Sequence, residues 1–402
     1  MLKLKKYNFR SLSPIDILFF SLLVNGTLLA YLNAALSRLP FISSLSTIVE
    51  PAVIIVITLV VLSIPSFLKV LTIGDYMFYI VCLCVFFLHY ILFVNNQIYL
   101  DDLWGKFNLY VLPCYFIGRT IDYEKNANII TLLSILSLLA YSYLHFIYSS
   151  NVDKTEQIAS GDMAAAFTVL PFIILIILDA FNTKRVISIC LSIYGVFLLL
   201  SFGNRGSLLY TLIYVAILGF KKMRSMSLSQ KWFILCIFGL LSSFVYVFYD
   251  IIFIYLYTIL EQGGMSLRIL DKVVEEEIGD SSGRDELTKI VFASLSDNPL
   301  GLGVGGDRAV LKGIYVHNLF VEILSIFGYW GGGFVILVFF NLIYKAYKKV
   351  INTNLYSFYV GLVCFGCLPL LTSSSFLEWP FFFMFLGYSV KVLSMKKMIA
   401  VR

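Results

Sequence analysis

Charge is scarce in this chain: 30 Lys and Arg and 24 Asp and Glu are spread over 402 residues, 13% of the sequence. That is about half the charge density of an average soluble domain, and with a mean hydropathy of +0.90 it excludes a water-soluble globule. Histidine is scarcer still, with three in the chain, and no Asp-x-Asp pair or His/Cys cluster argues for a metal. The seven cysteines, Cys82, Cys84, Cys114, Cys190, Cys236, Cys364 and Cys367, all fall in apolar stretches, so none is placed for an extracellular disulfide. Cys364 and Cys367 form a C-x-x-C, but with no second pair and no nearby histidine they read as small apolar residues. Internal repeats of the kind that build symmetric transporter halves are also missing.

What the chain has is length and apolarity. The hydrophobic 60% amounts to roughly 240 residues, enough for about 12 bilayer crossings of about 20 residues each. Runs bounded by charge or turn residues predict helices near 14–36, 48–68, 75–95, 105–121, 128–148, 161–181, 186–202, 207–220, 232–256, 329–345, 355–372 and 379–394. The expected fold class is an all-α polytopic membrane protein, with 1–402 forming a single integral membrane domain. The opening Met-Leu-Lys-Leu-Lys-Lys resembles a signal peptide, but the run that follows spans a bilayer and reads as a retained first helix. With both termini inside, 20 of the 30 basic residues lie on the cytoplasmic side, and six of the other ten share one long loop. Long loops are weak determinants of topology, so this arrangement satisfies the positive-inside rule. The net charge of +6 is therefore topological and not the footprint of a nucleic-acid partner.

Most loops are short, but 257–327, between the ninth and tenth spans, is long, outward-facing and rich in glycine and charge; such loops carry function. Ser282 and Asp285 have capping-box spacing, which puts Arg284 in the first turn of an amphipathic helix with Leu287, Ile290, Val291 and Leu295 on one face. Pro299 follows its end. The glycine turn 299–307, including Gly303 and ending on Asp307, reads either as a tight turn or as a substrate-lining one; no Gly-Lys-Ser/Thr follows it, so it is no nucleotide loop. His317 and Asn318 open the next helix, where Asn318, Glu322 and Ser325 make a polar stripe that needs a partner or a cavity. Gly328, Gly331, Gly332 and Gly333 then permit close packing or a bend. Elsewhere, Arg205 sits in the outer turn 200–208 against the positive-inside bias; it either snorkels to headgroups or serves an internal anion site.

Arginines bind phosphate oxygens bidentately and stay charged, so Arg205 and Arg284 suit a diphosphate without a metal. A histidine titrating near neutrality can take a proton from a hydroxyl, which makes His317 the candidate base, against the alternative of a satisfied interfacial side chain. Asp307, Glu322 and Glu378 are rival bases, Glu378 lying in the outer turn 372–378 where a solvated structural role is the plainer reading.

Gly-Asn-Arg-Gly-Ser at 203–207, Ser-Gly-Arg at 282–284, Pro-Leu-Gly-Leu-Gly at 299–303 and His-Asn at 317–318, followed by a glycine-rich span, occur in one order on one expected face. Over about residues 186–345 this resembles the O-antigen polymerase and O-antigen ligase superfamily of bacterial membrane glycosyltransferases. The resemblance implies a metal-independent glycosyltransferase fold of the GT-C type, residence in the bacterial cytoplasmic membrane, and no cofactor. It implies transfer of a glycan from undecaprenyl diphosphate to an acceptor hydroxyl with inversion. Arg205 and Arg284 would hold the diphosphate, His317 would activate or orient the acceptor, and Asn318, Glu322, Gly303 and Asp307 would support them. Many relatives carry an aromatic residue shortly after the loop arginine, whereas here the first is Phe292. The favoured activity is repeat-unit polymerisation for O-antigen, capsule or exopolysaccharide, with a chain-length regulator and a flippase as partners. A ligase uses the same donor chemistry and stays open, as does a lipid-linked glycan flippase, which predicts paired repeats and mid-bilayer charges.

Overall fold

The computed structural model describes residues 68–149, 156–224, 226–232 and 283–395, with the short pieces 64–65, 243, 254–255 and 257–259. The expected spans near 14–36, 48–68 and 232–256 lie wholly or mostly outside these residues, as does 260–282 of the long loop. Every regular element among the described residues is helical, as backbone in lipid must satisfy its own N–H and C=O groups. Among the described residues five helices are long and apolar enough to cross a membrane: Ile73–Leu92, Tyr123–Tyr143, Ala165–Thr183, Arg205–Arg224 and Leu319–Val350. Val186–Ser201, Tyr356–Leu371 and Pro380–Ser394 are shorter apolar helices. Large side chains such as Ile73, Met77, Val81, Leu88, Trp330, Phe334 and Leu337 are exposed, which is the surface expected of helices solvated by lipid. The described part of the chain is all-helical, with several helices apolar enough for a membrane protein.

The chain divides into two compact units, residues 1–130 with 280–402, and residues 131–279. In the first unit α1 (Ile73–Leu92) lies antiparallel to a broken second pass, Phe86 stacking on Phe107 while Phe78 meets Tyr115. The single helix expected over 105–121 is instead α2 (Gln97–Gly105), a wide π turn at Lys106–Val111, and α3 (Cys114–Thr120). Pro113 explains the break: it has no N–H to donate and its ring would strike the carbonyl one turn back, so the backbone widens and restarts. After α4 (Tyr123–Ser149), which continues into the second unit, the later part of the first unit holds α8 (Arg284–Asp297), α9 (Gly306–Val310), α10 (Leu319–Val350), α11 (Tyr356–Gly366) and α12 (Pro380–Ser394). α3 and α12 touch backbone to backbone: a Cβ on Gly118 would collide with the Met384 carbonyl, and one on Gly387 with that of Tyr115.

One end of this unit is tied by basic residues. Arg119 holds Asp75 through Nε at 2.6 Å and Nη2 at 2.9 Å, and the Tyr115 hydroxyl donates to the same carboxylate at 2.6 Å. Both ionic partners are almost wholly buried. Lys391 donates to the Thr120 and Ile121 carbonyls, and Lys349 donates to those of Leu393 (2.8 Å) and Met395 (2.5 Å). Each lysine closes the carbonyl end of a neighbouring helix, Lys391 that of α3 and Lys349 that of α12, where positive charge is favoured.

α10 is not one straight rod. Gly328 has φ 70° and ψ −177°, a conformation open essentially to glycine alone. The arm before it folds back on the arm after it, so that Phe320 stacks on Phe340 at 5.6 Å and Gly332 lies against the backbone of Ile323 and Leu324. The glycines expected to permit close packing or a bend do both.

In the second unit α5 (Glu156–Thr183) is apolar all round and buried from Val169 to Leu178, packed against α6 (Val186–Ser201) and α7 (Arg205–Arg224), as a helix at the centre of a bundle must be. The Ser188 hydroxyl donates to Asp179 at 2.5 Å where α6 meets α5.

Candidate functional site

The site grows from the fold-back of α10. Asn318 caps the first arm, its side-chain oxygen accepting from the amides of Phe320 (3.0 Å) and Val321 (3.2 Å). Just before it, His317 has φ 55°, a left-handed conformation that costs a histidine about 1–3 kcal/mol. An apolar floor holds this loop: Val291 and Leu295 of α8 pack with Leu311, Val316 and Val321, and Leu287 and Phe292 border them. Ile290, expected on the same face, points away and is half exposed. Gly283 stands at the N-cap of α8 with φ 80°, one residue after the Ser282 expected there, which lies outside the described residues. Arg284 is the first helical residue of α8, partly exposed.

Against this loop lies the turn 372–379. The Ser373 carbonyl accepts from the Tyr315 hydroxyl at 2.9 Å and lies 3.1 Å from Nδ1 of His317. A carbonyl can only accept, so Nδ1 carries the proton and Nε2 is the lone-pair nitrogen. The Tyr315 and His317 rings are 4.1 Å apart. Burial pulls the His317 pKa below the usual 6.5, and the positive fields of Arg284 and Arg308 pull the same way, partly opposed by the Ser373 bond and by Asp307. At neutral pH the imidazole is uncharged.

Beneath the two rings is a buried ionic cluster centred on Arg308, a residue the sequence reading passes over. Its Nη1 lies 3.4 Å from Asp307 and 3.5 Å from Glu322, and its Nη2 lies 3.5 Å from Glu378 and donates to the Ser375 hydroxyl at 3.0 Å. The guanidinium carbon sits 5.3 Å from the Tyr315 ring centroid. Glu322 is engaged on both oxygens, accepting from the Ser375 hydroxyl and from the Phe376 amide at 3.1 Å. Asp307 accepts from the Val316 amide at 3.2 Å, and burial raises its pKa against the pull of Arg308. Glu378, the more exposed member, also meets Lys106, which pairs with Asp102. Phe376 contacts Phe382, and Phe382 contacts Phe339, so the cluster is level with the middle of the α10 fold-back and recessed from its tip at Gly328.

The structure thus gathers His317, Arg284, Asp307, Glu322 and Glu378 in the first unit, by the start of α12 and away from the Lys391 end of that helix. The polar stripe has its partners: Asn318 is a cap, Glu322 an ion-pair member, and the Ser325 hydroxyl bonds back to Glu322. Gly303 belongs to a tightly packed turn. A Cβ there would press on the Phe93 ring, the Val304 amide donates to Nδ1 of His89 at 2.8 Å, and Asn96 donates to the carbonyls of Leu302 and Val304. The Tyr329 amide donates to Pro299 at 3.1 Å, which docks the turn on the tip of α10. Arg205 belongs to the second unit, at the start of α7, after Gly203 (φ 69°) and a cap in which Asn204 accepts from the Ser207 amide at 3.0 Å. Among the described residues no group of three His, Cys, Asp or Glu side chains is arranged to hold a metal ion. Compared with protein-family models, with curated proteins and with solved structures, the chain matches none.

Proposed function

We propose that this chain is an oligosaccharide repeat-unit polymerase that joins undecaprenyl-diphosphate-linked glycan units at the outer face of the bacterial cytoplasmic membrane, with both termini inside. The observation that carries the reading is His317, neutral, with Nδ1 committed to the Ser373 carbonyl and Nε2 left basic, in the field of Arg284. The separation of this site from the Arg119, Lys349 and Lys391 end supports the orientation, since basic residues favour the cytoplasmic side.

In this reading the acceptor hydroxyl gives its proton to Nε2 of His317 as its oxygen attacks the anomeric carbon of the donor glycan. The bond from that carbon to the diphosphate oxygen breaks on the opposite side, and the electron pair leaves with the diphosphate. Arg284 neutralises the charge that develops there. The proton on the imidazole then passes to solvent or to the released diphosphate.

The test is glycan extension by the purified protein on a synthetic undecaprenyl-diphosphate repeat unit in the presence of EDTA. Products of stepped length from wild type, lost in His317→Ala and Arg284→Ala and poorly restored in Arg284→Lys, are expected. No extension by wild type, with movement of the same lipid across liposome bilayers, overturns the reading in favour of a flippase.

A further inference from the structure

We propose that Arg308 is the positioning residue of this site: by clamping the 372–379 turn to α10 and to Tyr315, it holds the Ser373 carbonyl where His317 must donate its Nδ1 proton. The proposal deepens the reading of His317 as the base and rests on that reading only for its purpose, not for its geometry.

Arg308 is a cation with 5% of its surface exposed, which calls for partners on every side. Its planar fork supplies them across three parts of the chain. It reaches Asp307 on its own helix, Glu322 on the first arm of α10, and Ser375 and Glu378 on the turn, while its face covers Tyr315. Besides the Ser373 and Ser374 amide bonds to the Pro369 carbonyl, the serines of the turn are held by side chains at two levels. Ser375 is fixed from below by Arg308 and Glu322, and Ser373, two residues earlier, meets Tyr315 and His317. Tyr315 links the two levels, with its ring over the guanidinium and its hydroxyl on the Ser373 carbonyl. Releasing the lower point leaves the Ser373 carbonyl oriented only by the amide bonds to Pro369, and a histidine whose carbonyl partner shifts redistributes its proton between the two ring nitrogens. A lysine at 308 keeps the charge but lacks a fork that can span Ser375 and Glu322 while lying flat on a ring.

The chain has three histidines, and their surroundings make a direct test practicable. Full-length protein labelled with 15N-histidine, in nanodiscs at pH 8, gives imidazole signals that distinguish Nδ1-protonated from Nε2-protonated rings, and His317→Ala identifies the His317 set. His89 is an internal control, since its Nδ1 accepts from the Val304 amide and its proton must sit on Nε2. We expect wild-type His317 to be Nδ1-protonated, and Arg308→Lys and Ser375→Ala each to shift it toward an Nε2-containing mixture with His89 unchanged. His317 remaining Nδ1-protonated in both variants overturns the proposal. If Arg308→Lys disturbs the His89 signals, the fold has changed and Ser375→Ala decides alone. Glycan extension assayed on the same samples separates the two readings. A tautomer shift without any wild-type extension supports the positioning role and defeats the polymerase, whereas extension with an unmoved tautomer does the reverse.

Discussion

The cluster around Arg308 has one buried cation for the three carboxyls of Asp307, Glu322 and Glu378, the last of them also met by the exposed Lys106, which predicts an asymmetry between removing the buried cation and removing a buried carboxylate. Arg308→Met removes the cation and leaves Asp307, with none of its surface exposed, and Glu322, with 1%, facing each other without compensation. Breaking a buried pair in this way costs about 3–5 kcal/mol. Glu322→Gln removes one of the carboxylates instead. Arg308 keeps Asp307 and Glu378, and the amide oxygen can still accept from Phe376, so the loss is that of a charge-assisted hydrogen bond, about 1–3 kcal/mol. The pH dependence separates the two further. Burial already raises the Asp307 pKa with Arg308 present, and losing the cation raises it more. A carboxyl with a folded pKa above its unfolded one takes up a proton on folding, so Arg308→Met should regain stability as pH falls from 8 to 5, by up to about 1.4 kcal/mol per pH unit for one proton. The assay is the unfolding midpoint in detergent, followed by tryptophan fluorescence at both pH values, for wild type and both variants. Equal destabilisation by the two substitutions, or an Arg308→Met deficit that does not shrink in acid, would refute the assignment of Arg308 as the compensating charge.

Three further outcomes are expected. Arg119→Ala should cost about 3–5 kcal/mol by stranding the buried Asp75 carboxylate, and Arg119→Leu with Asp75→Leu should recover part of it; a single substitution within 1 kcal/mol of wild type in the same unfolding assay would contradict the buried pairing. Gly387→Ala should force α12 away from α3, because its Cβ has no room beside the Tyr115 carbonyl, and should lower the unfolding midpoint, whereas Gly333→Ala, with open space around it, should leave it unchanged. The His317 imidazole should titrate below 6.5, and Arg284→Ala should move its midpoint upward by removing a neighbouring positive field. Histidine NMR titration checks this, and a wild-type midpoint above 6.5 would sink it.

Features that act through the local backbone were legible in the sequence. Asn318 does begin a helix, Pro299 does follow the end of one, and the glycines from Gly328 onward do mark a bend, because caps and breakers work over one or two turns. The apolar run over 105–121 concealed a break that Pro113 alone signals. Arg308 was not legible at all. It follows a glycine turn and looks like one more loop cation, and its hydrogen-bond partner Ser375 lies 67 residues further on, so only the fold brings them together. The same limit applied to Glu322, whose need for a partner showed in the helical stripe while the partner's identity did not. Gly118 and Gly387 are single small residues in apolar runs, and nothing in those runs tells a packed crossing from a lipid-facing position.

The geometry around His317 is held from both sides along the chain as well as from the turn. On one side the Val316 amide is fixed by Asp307, and on the other Asn318 is fixed as a cap, a bond worth about 1 kcal/mol. The left-handed backbone between them costs about as much as those two anchors return, so the loop by itself has little net preference for the observed conformation. What decides it is the turn opposite, through the bonds of Tyr315 and His317 to one carbonyl. Leu377 and Phe376 anchor the far half of that turn in the apolar packing, whereas the three serines before them have no apolar surface to bury, and the cation beneath Ser375 supplies a polar anchor there. The buried charge thus stabilises the bundle poorly for its cost but fixes one carbonyl oxygen, and through that oxygen it determines which nitrogen of the imidazole is basic.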